Sequence, residues 1–193
     1  QVSNEGIAFQ YEIPKYSNQS DFITEEKTSY NFVNTAKAWL QPMAIAKTGW
    51  EQTNPSYEEH YHNEVPVGTP EPTGIGWVYP ALFNSNTHWV LITEAGLERN
   101  HCATRLHFDS PGGEYRVAMP DSREVIKDKN LFSRIDNDFT SPWRVVAIGD
   151  LKNIVESELA NAVVQKPNTT IASFVKPGKA SWSWINSKDD FIV

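Results

Sequence analysis

Glu94 is the acid in this sequence best placed for chemistry, because it follows the strongly hydrophobic stretch from Trp89 to Thr93. A carboxylate at the end of a buried strand is costly unless it is hydrogen-bonded, paired with a base or bound to a cation. The residues alone favour a carboxylate that accepts backbone or arginine hydrogen bonds. A metal ligand or a catalytic group is the alternative.

Metal-binding residue types are also concentrated between Glu58 and Glu64, where His60 and His62 would share one face of an extended segment. Their spacing matches no specific metal motif. An exposed polar loop is therefore the favoured interpretation, with a metal site as the alternative.

Cys102 follows His101, with Arg105 and His107 nearby, and this suggests a cysteine nucleophile with a histidine base. No helix N-terminus or nucleophile turn is evident beside it, so a small buried thiol is the favoured interpretation. Because Cys102 is the single cysteine, an internal disulfide is excluded and the redox compartment stays undetermined.

Trp182 and Trp184 form an aromatic pair on one face of an extended segment, after a turn at Lys176 to Lys179. Indole rings at this spacing can stack on the apolar faces of sugars or fill an interface between domains. Packing at an interface is the favoured interpretation, and sugar binding is the alternative.

The composition excludes several classes of protein. With 193 residues, 39% of them hydrophobic, the chain can bury a sizeable core. The net charge of −7 has the wrong sign for a nucleic-acid binder, and no apolar stretch approaches the roughly 20 residues of a membrane span. The chain opens with Gln1 and shows no signal segment, so we interpret it as a processed or excised piece.

Short segments with apolar alternation and many β-branched or aromatic residues predict a mainly β fold, a β-sandwich. Their ranges are Gly6 to Ile13, Asp21 to Phe32, Trp77 to Phe83, Trp89 to Ala95, Arg105 to Phe108, Glu114 to Met119 and Trp143 to Ile148. One amphipathic helix is predicted after the N-cap Asp150, with apolar residues from Leu151 to Val163 at helical spacing. The polar stretch from Thr48 to Thr73 predicts a long loop.

Five segments, in this order along the chain, carry a resemblance to a known family: Gly6 to Phe9, Ser56 to Tyr61, Ile92 to Leu97, Ser141 to Gly149, and Val175 to Lys179 leading into Trp182 to Trp184. Together they resemble glycoside hydrolase family 97. Members of that family have an N-terminal sandwich similar to galactose mutarotase, a central (β/α)8 barrel and a small C-terminal β domain. Gln10, Ser183 and Ile185 depart from the usual family pattern.

The resemblance implies that residues 1–175 form the later part of the sandwich and that residues 176–193 are the linker and the start of the barrel. Glycoside hydrolysis needs two carboxylates, which in the family lie on the barrel. The isolated chain is therefore expected to be inactive, while the intact protein hydrolyses α-glucosidic or α-galactosidic bonds of oligosaccharides. The family also implies a periplasmic or exported bacterial protein.

The resemblance also implies a calcium site beside the catalytic acids, to which the sandwich contributes one glutamate. The matching residue is Glu94, so the resemblance changes the favoured role of this acid from hydrogen-bonded carboxylate to calcium ligand. Arg144 is expected to pair with a nearby acid. Trp182 and Trp184 are expected to seal the sandwich against the barrel.

Two functions of other classes stay open at this point. The first is a non-catalytic carbohydrate-binding sandwich in which Trp77, Trp89, Trp182 or Trp184 stacks on sugars. The second is a purely structural domain whose exposed apolar surface drives association.

Overall fold

The computed structural model describes residues 1–16, 20–47, 60–125, 130–166, 174–176 and 178–180. Within them the chain forms fourteen strands and two α-helices. In chain order these are β1 (Val2–Ser3), β2 (Gly6–Phe9), β3 (Glu12–Ile13), β4 (Asp21–Ile23), β5 (Ser29–Asn31), β6 (Lys37–Pro42), β7 (His62–Pro66), β8 (Trp77–Ser85), β9 (His88–Ala95), β10 (Arg105–Leu106), β11 (Glu114–Ala118), β12 (Ser133–Ile135), β13 (Phe139–Thr140), β14 (Trp143–Gly149), α1 (Leu151–Glu156) and α2 (Leu159–Val163).

Ten strands form one antiparallel sheet in the order β1-β2-β14-β9-β8-β10-β11-β5, with β6 paired to β8 and β7 paired to β6. Two smaller sheets pair β12 with β4 and β13 with β3. The prediction of a mainly β sandwich with little helix is confirmed. No helix among the described residues is long and apolar enough to cross a membrane.

The two faces of the large sheet bury separate hydrophobic cores. One core contains Trp77, Phe83, Ile92 and Tyr115, all fully buried. The other core joins the sheet to the two helices, which contribute Ile154 and Leu159 among other residues. Because successive residues of a strand point to opposite faces, β14 sends Val145 and Ala147 towards the helices and Arg144 towards the other face.

The single predicted helix is divided into two short ones. Asp150 is the predicted N-cap, and its carboxylate accepts a hydrogen bond of 2.7 Å from the backbone of Asn153. The helix then stops at Ser157, whose backbone is extended. Glu5 accounts for the break, because its carboxylate accepts hydrogen bonds from the Ser157 hydroxyl and the Glu158 amide at 2.7 and 2.9 Å.

The predicted loop from Thr48 to Thr73 is wrong for residues 62–66, which form β7 against β6. Residues 48–59 lie outside the described part of the chain. The sequence of β7 shows no apolar alternation because this strand pairs only with β6 and most of its residues are exposed or half-buried.

Strand β8 changes partner along its length, and this opens a cleft in the sheet. Its first residue, Trp77, pairs with Leu106 of β10. Pairing with β9 begins only at Ala81, opposite Ile92, and continues to the end of β8. Between these two regions lies Pro80, which has no N–H to continue the ladder. The end of β9 therefore separates from β8, and Glu94 faces the gap.

Glu71 organises the turn that leads into β8. This buried carboxylate accepts hydrogen bonds from the backbone amides of Thr73, Ile75 and Gly76 at 2.9, 2.9 and 3.2 Å. Gly76 has a φ of +128°, and a Cβ there would lie 2.5 Å from the carbonyl oxygen of Leu106. Gly76 thus permits a close backbone approach between this turn and β10.

We expect Glu71→Gln to destabilise the 193-residue chain by about 1–3 kcal/mol, because a buried carboxylate that accepts several amide N–H groups is replaced by an amide with one acceptor oxygen. Urea denaturation followed by circular dichroism measures the change. The exposed Glu98 provides the matched control, since its replacement by glutamine should leave the midpoint almost unchanged. Equal midpoints for both variants would show that the carboxylate does not hold the turn.

Candidate functional site

Glu94 lies near the end of β9, where the sheet separates, and 7% of its side chain is exposed. Its Oε1 accepts a hydrogen bond of 3.0 Å from the backbone amide of Thr104. Its Oε2 accepts two, from the Thr104 hydroxyl at 2.9 Å and from Nη1 of Arg144 at 2.8 Å. Glu94 therefore bridges the gap between the end of β9 and the segment that enters β10.

Arg144 is the partner that the strand register places directly opposite Glu94 on β14. Its side chain is 2% exposed and all three of its guanidinium nitrogens donate hydrogen bonds. Nε and Nη2 bind the two oxygens of Glu26 at 2.9 and 2.5 Å, which leaves Nη1 for Glu94. The expectation that Arg144 pairs with an acid is thus confirmed, and it pairs with two.

Glu26 comes from the segment between β4 and β5, and it is held from its other side as well. The Thr28 hydroxyl donates to Glu26 Oε1 at 2.7 Å, and the Tyr11 hydroxyl lies 2.8 Å from that of Thr28. These contacts tie the loop to β14 through one arginine. We call Glu26, Arg144 and Glu94 the carboxylate–arginine cluster.

Burial and pairing act in opposite directions on the charges of this cluster. Burial raises the pKa of Glu94, and Arg144 and Thr104 only partly offset that effect. Burial also acts to raise the pKa of Glu26, but its hydrogen bonds and charge attraction with Arg144 are stronger and lower the pKa overall. One guanidinium thus pairs with two carboxylates, and it stabilises the ionised form of Glu26 more strongly than that of Glu94.

Three cavities formed by the described residues border the cluster, and two of them lie against Glu94 or Arg144. The larger, of about 670 Å³, is lined by Glu94 and Thr104 together with Tyr79, His101 and Arg105. The smaller, of about 300 Å³, lies against Glu26 and Arg144 and is mainly apolar. Glu94 is therefore the acid of the cluster that faces the larger of these two cavities, whereas Glu26 also lines the third cavity, of about 650 Å³.

The predicted thiol site has no catalytic geometry. Both ring nitrogens of His101 are engaged, Nδ1 by the Glu98 amide at 2.9 Å and Nε2 by the Thr140 carbonyl oxygen at 2.8 Å. The sulfur of Cys102 lies 3.9 Å from that of Met119 and accepts a hydrogen bond from Ser133 at 3.4 Å. These contacts support the interpretation of Cys102 as a packed structural thiol.

Other predicted site residues are separated from the cluster or not described. His62 lies in β7 with its ring 5.6 Å from that of Trp77, and Glu58 and Glu59 fall outside the described residues, as do Trp182 and Trp184. Among the described residues, no three His, Cys, Asp or Glu side chains form a group that could hold a metal ion. A metal at Glu94 would therefore need ligands from elsewhere.

The tryptophans named for sugar stacking have different environments. Trp77 is fully buried in the core and has no face open to a sugar ring, so its proposed stacking role is wrong. Trp89 is half-buried and packs against Trp39, with 4.8 Å between ring centroids. The stacking alternative thus loses one of its four residues.

Sequence reasoning did not identify Glu26 or Thr104 as members of the site. Glu26 stands in the polar run Thr24 to Lys27, where nothing distinguishes it from an exposed acid. Its role follows from a contact with Arg144, which is 118 residues away along the chain. A buried arginine on a central strand implies such partners but does not name them.

Glu94 suits a cation ligand in one respect. A carboxylate oxygen has two in-plane acceptor positions, and Oε2 has both occupied while Oε1 accepts one hydrogen bond. Among the described residues, no second donor reaches Oε1, so one of its acceptor positions could take a cation. Calcium takes six to eight oxygen ligands, so this chain fits the role of contributing one of them.

Comparisons with known proteins identify the family of this chain. The sequence profile of the glycosyl hydrolase 97 N-terminal domain matches residues 1–165. The chain belongs to glycoside hydrolase family 97. It corresponds to the N-terminal domain of that family, as the five segments implied.

The chain is 28% identical to a probable retaining alpha-galactosidase of Streptomyces bingchenggensis (strain BCW-1), over 95% of this chain and 25% of that protein. A crystal structure of a beta-arabinopyranosidase matches with a TM-score of 0.75 and 34% identity, over 81% of this chain and 25% of the other. A family 97 enzyme from Pseudoalteromonas sp. strain K8, solved in complex with panose, matches with a TM-score of 0.61 and 27% identity, over 80% of this chain and 21% of the other. The chain thus spans about a quarter of the length of these relatives.

We expect Arg144→Met to destabilise the 193-residue chain by about 3–5 kcal/mol, because it leaves two buried carboxylates without their cation. Chemical denaturation measures the loss. Arg134→Met is the matched control, since its pair with Asp136 is about half exposed on both sides and should contribute little. A loss for Arg144→Met no larger than that of the control would contradict the importance of the cluster.

Proposed function

We propose that this family 97 domain belongs to a calcium-dependent glycosidase that hydrolyses α-glucosidic or α-galactosidic bonds, and that Glu94 supplies one oxygen ligand to the calcium. The observation that carries the proposal is the state of Glu94. It is a buried carboxylate at the wall of the larger cavity, and within the described part of the chain only one donor, the Thr104 amide, reaches its Oε1.

The chain's own residues would prepare this ligand rather than carry out the bond cleavage. Thr104 fixes both oxygens of Glu94, and Arg144 fixes Oε2, so the carboxylate does not have to be ordered when a cation arrives. When bound, calcium in such a site supplies stabilisation of negative charge on a glycosidic oxygen or a water. The two catalytic carboxylates would lie on a barrel that follows residue 176.

The proposed substrate class is supported by the names of the relatives. An alpha-galactosidase and a beta-arabinopyranosidase are among them, and a third relative was solved with the oligosaccharide panose. We therefore propose an oligosaccharide or small glycoside with an α-linked glucose or galactose unit. A periplasmic or exported location is proposed with it, on the ground of membership in a glycoside hydrolase family.

We expect Glu94→Gln, in a longer protein that continues this chain through the barrel, to lower both bound calcium and calcium-dependent hydrolysis. An amide oxygen carries no formal charge and is a weaker calcium ligand. Loss of metal assistance worth several kcal/mol in the transition state corresponds to about 100-fold or more in kcat/KM. Hydrolysis of p-nitrophenyl α-glucoside and α-galactoside, with and without added calcium, measures the effect.

Glu98→Gln is the control for this experiment, because Glu98 is an exposed acid on the loop that follows β9. It should keep both the activity and the calcium content. Unchanged calcium content and activity in Glu94→Gln would contradict the ligand role. Hydrolysis by the 193-residue chain alone would contradict the location of the catalytic carboxylates on a barrel.

A further inference from the structure

Glu26 controls how the guanidinium of Arg144 can approach Glu94. The Nε and Nη2 side of the guanidinium is engaged by both oxygens of Glu26, in the two-point geometry that arginine and carboxylate favour. Only Nη1 points to Glu94, and it reaches only Oε2. Arg144 is therefore prevented from forming the same two-point contact with Glu94.

This division leaves the two oxygens of Glu94 in different states. Oε2 is saturated by Arg144 and Thr104, and Oε1 holds a single backbone hydrogen bond. Without Glu26, Nε and Nη2 of Arg144 would have no carboxylate partner and would be attracted to the carboxylate of Glu94. Arg144 and Glu94 are direct neighbours on β14 and β9. A two-point contact would then cover Oε1 as well.

We propose that Glu26 and Arg144 are positioning residues that make Glu94 a one-oxygen ligand: Glu26 holds Arg144 away from Oε1, and Arg144 orients the carboxylate through Oε2. The inference rests on the proposed function, because it concerns how Glu94 is presented to calcium. It extends that proposal to two residues that do not themselves contact the metal and lie on the other side of the cluster, at the smaller cavity.

The net charge of the cluster also favours a bound cation. With both acids ionised, two carboxylates and one guanidinium leave a net charge of about −1 at the cluster. The side chains of Glu26 and Arg144 are 9% and 2% exposed, so solvent screens this charge weakly. Removing the charge of Glu26 would thus weaken cation binding even before Arg144 moves.

The test measures calcium affinity of the longer, metal-depleted protein by isothermal titration with calcium chloride. Glu26→Gln is expected to weaken binding about 10- to 100-fold, the range seen for residues that support metal ligands. Glu25→Gln is the matched control. Glu25 is the neighbouring residue, an exposed acid that pairs with Lys27, and its replacement removes the same charge. Its affinity should stay within about threefold of the unaltered protein.

The variant Arg144→Lys shows whether Glu26→Gln weakens calcium binding by freeing the guanidinium of Arg144, or only by removing a charge or destabilising the fold. A lysine ammonium is cationic but has no planar fork, so it cannot cover both oxygens of Glu94 in the two-point manner of arginine. In the Arg144→Lys background, the effect of Glu26→Gln should therefore shrink to a few-fold. Thermal unfolding of each variant confirms that the comparison is made on folded protein.

Each outcome supports or overturns the inference. A weak effect of Glu26→Gln, equal to that of Glu25→Gln, overturns the positioning role even if Glu94→Gln abolishes binding and the proposed function stands. If Glu26→Gln weakens calcium binding as much in the Arg144→Lys background as in the unaltered protein, the proposed role of the planar guanidinium is overturned. Unchanged affinity in Glu94→Gln overturns both the ligand role and the positioning role.

Discussion

A single guanidinium shared between two buried carboxylates is the interaction on which this site depends. Taking charges out of water costs several kcal/mol per ion, and the cost is offset only when the partners are close and every donor is used. Arg144 meets that condition by donating from all three nitrogens to Glu26 and Glu94. The pairing joins a loop, a central strand and the strand beside it, so it orders the parts of the fold that surround the cavities.

The position of the cluster follows from the way the sheet divides. Strand β8 pairs with β10 at its first residue, Trp77, and with β9 only from Ala81 onwards. Pro80 lies between these two regions and has no N–H to donate. The gap would expose unpaired backbone, and Glu94 closes it by accepting from the amide of Thr104. The same gap opens onto the larger cavity, so the residue that bridges the sheet at this point also lines that cavity.

Much of the fold could be predicted from the sequence, because long strands such as β8, β9 and β14 are runs of apolar residues bounded by turn residues, as expected where both faces of a sheet are covered. β7 could not be predicted, since an exposed edge strand carries no such pattern. The helix break at Ser157 depends on Glu5, a contact across 152 residues that local spacing cannot reveal. Glu94 was found from its place after a hydrophobic strand, whereas Glu26 was missed because a polar run gives no sign of burial.

The central proposal is that Glu94, which Arg144 and Thr104 hold in place, serves as a one-oxygen ligand for calcium. The most direct measurement is a crystal structure of the longer protein with calcium, using the anomalous signal of the metal to locate it. The account predicts a cation at about 2.3–2.6 Å from Oε1 of Glu94, with Oε2 still bound by Arg144. A cation bound elsewhere, with both oxygens of Glu94 engaged only by protein donors, would contradict it.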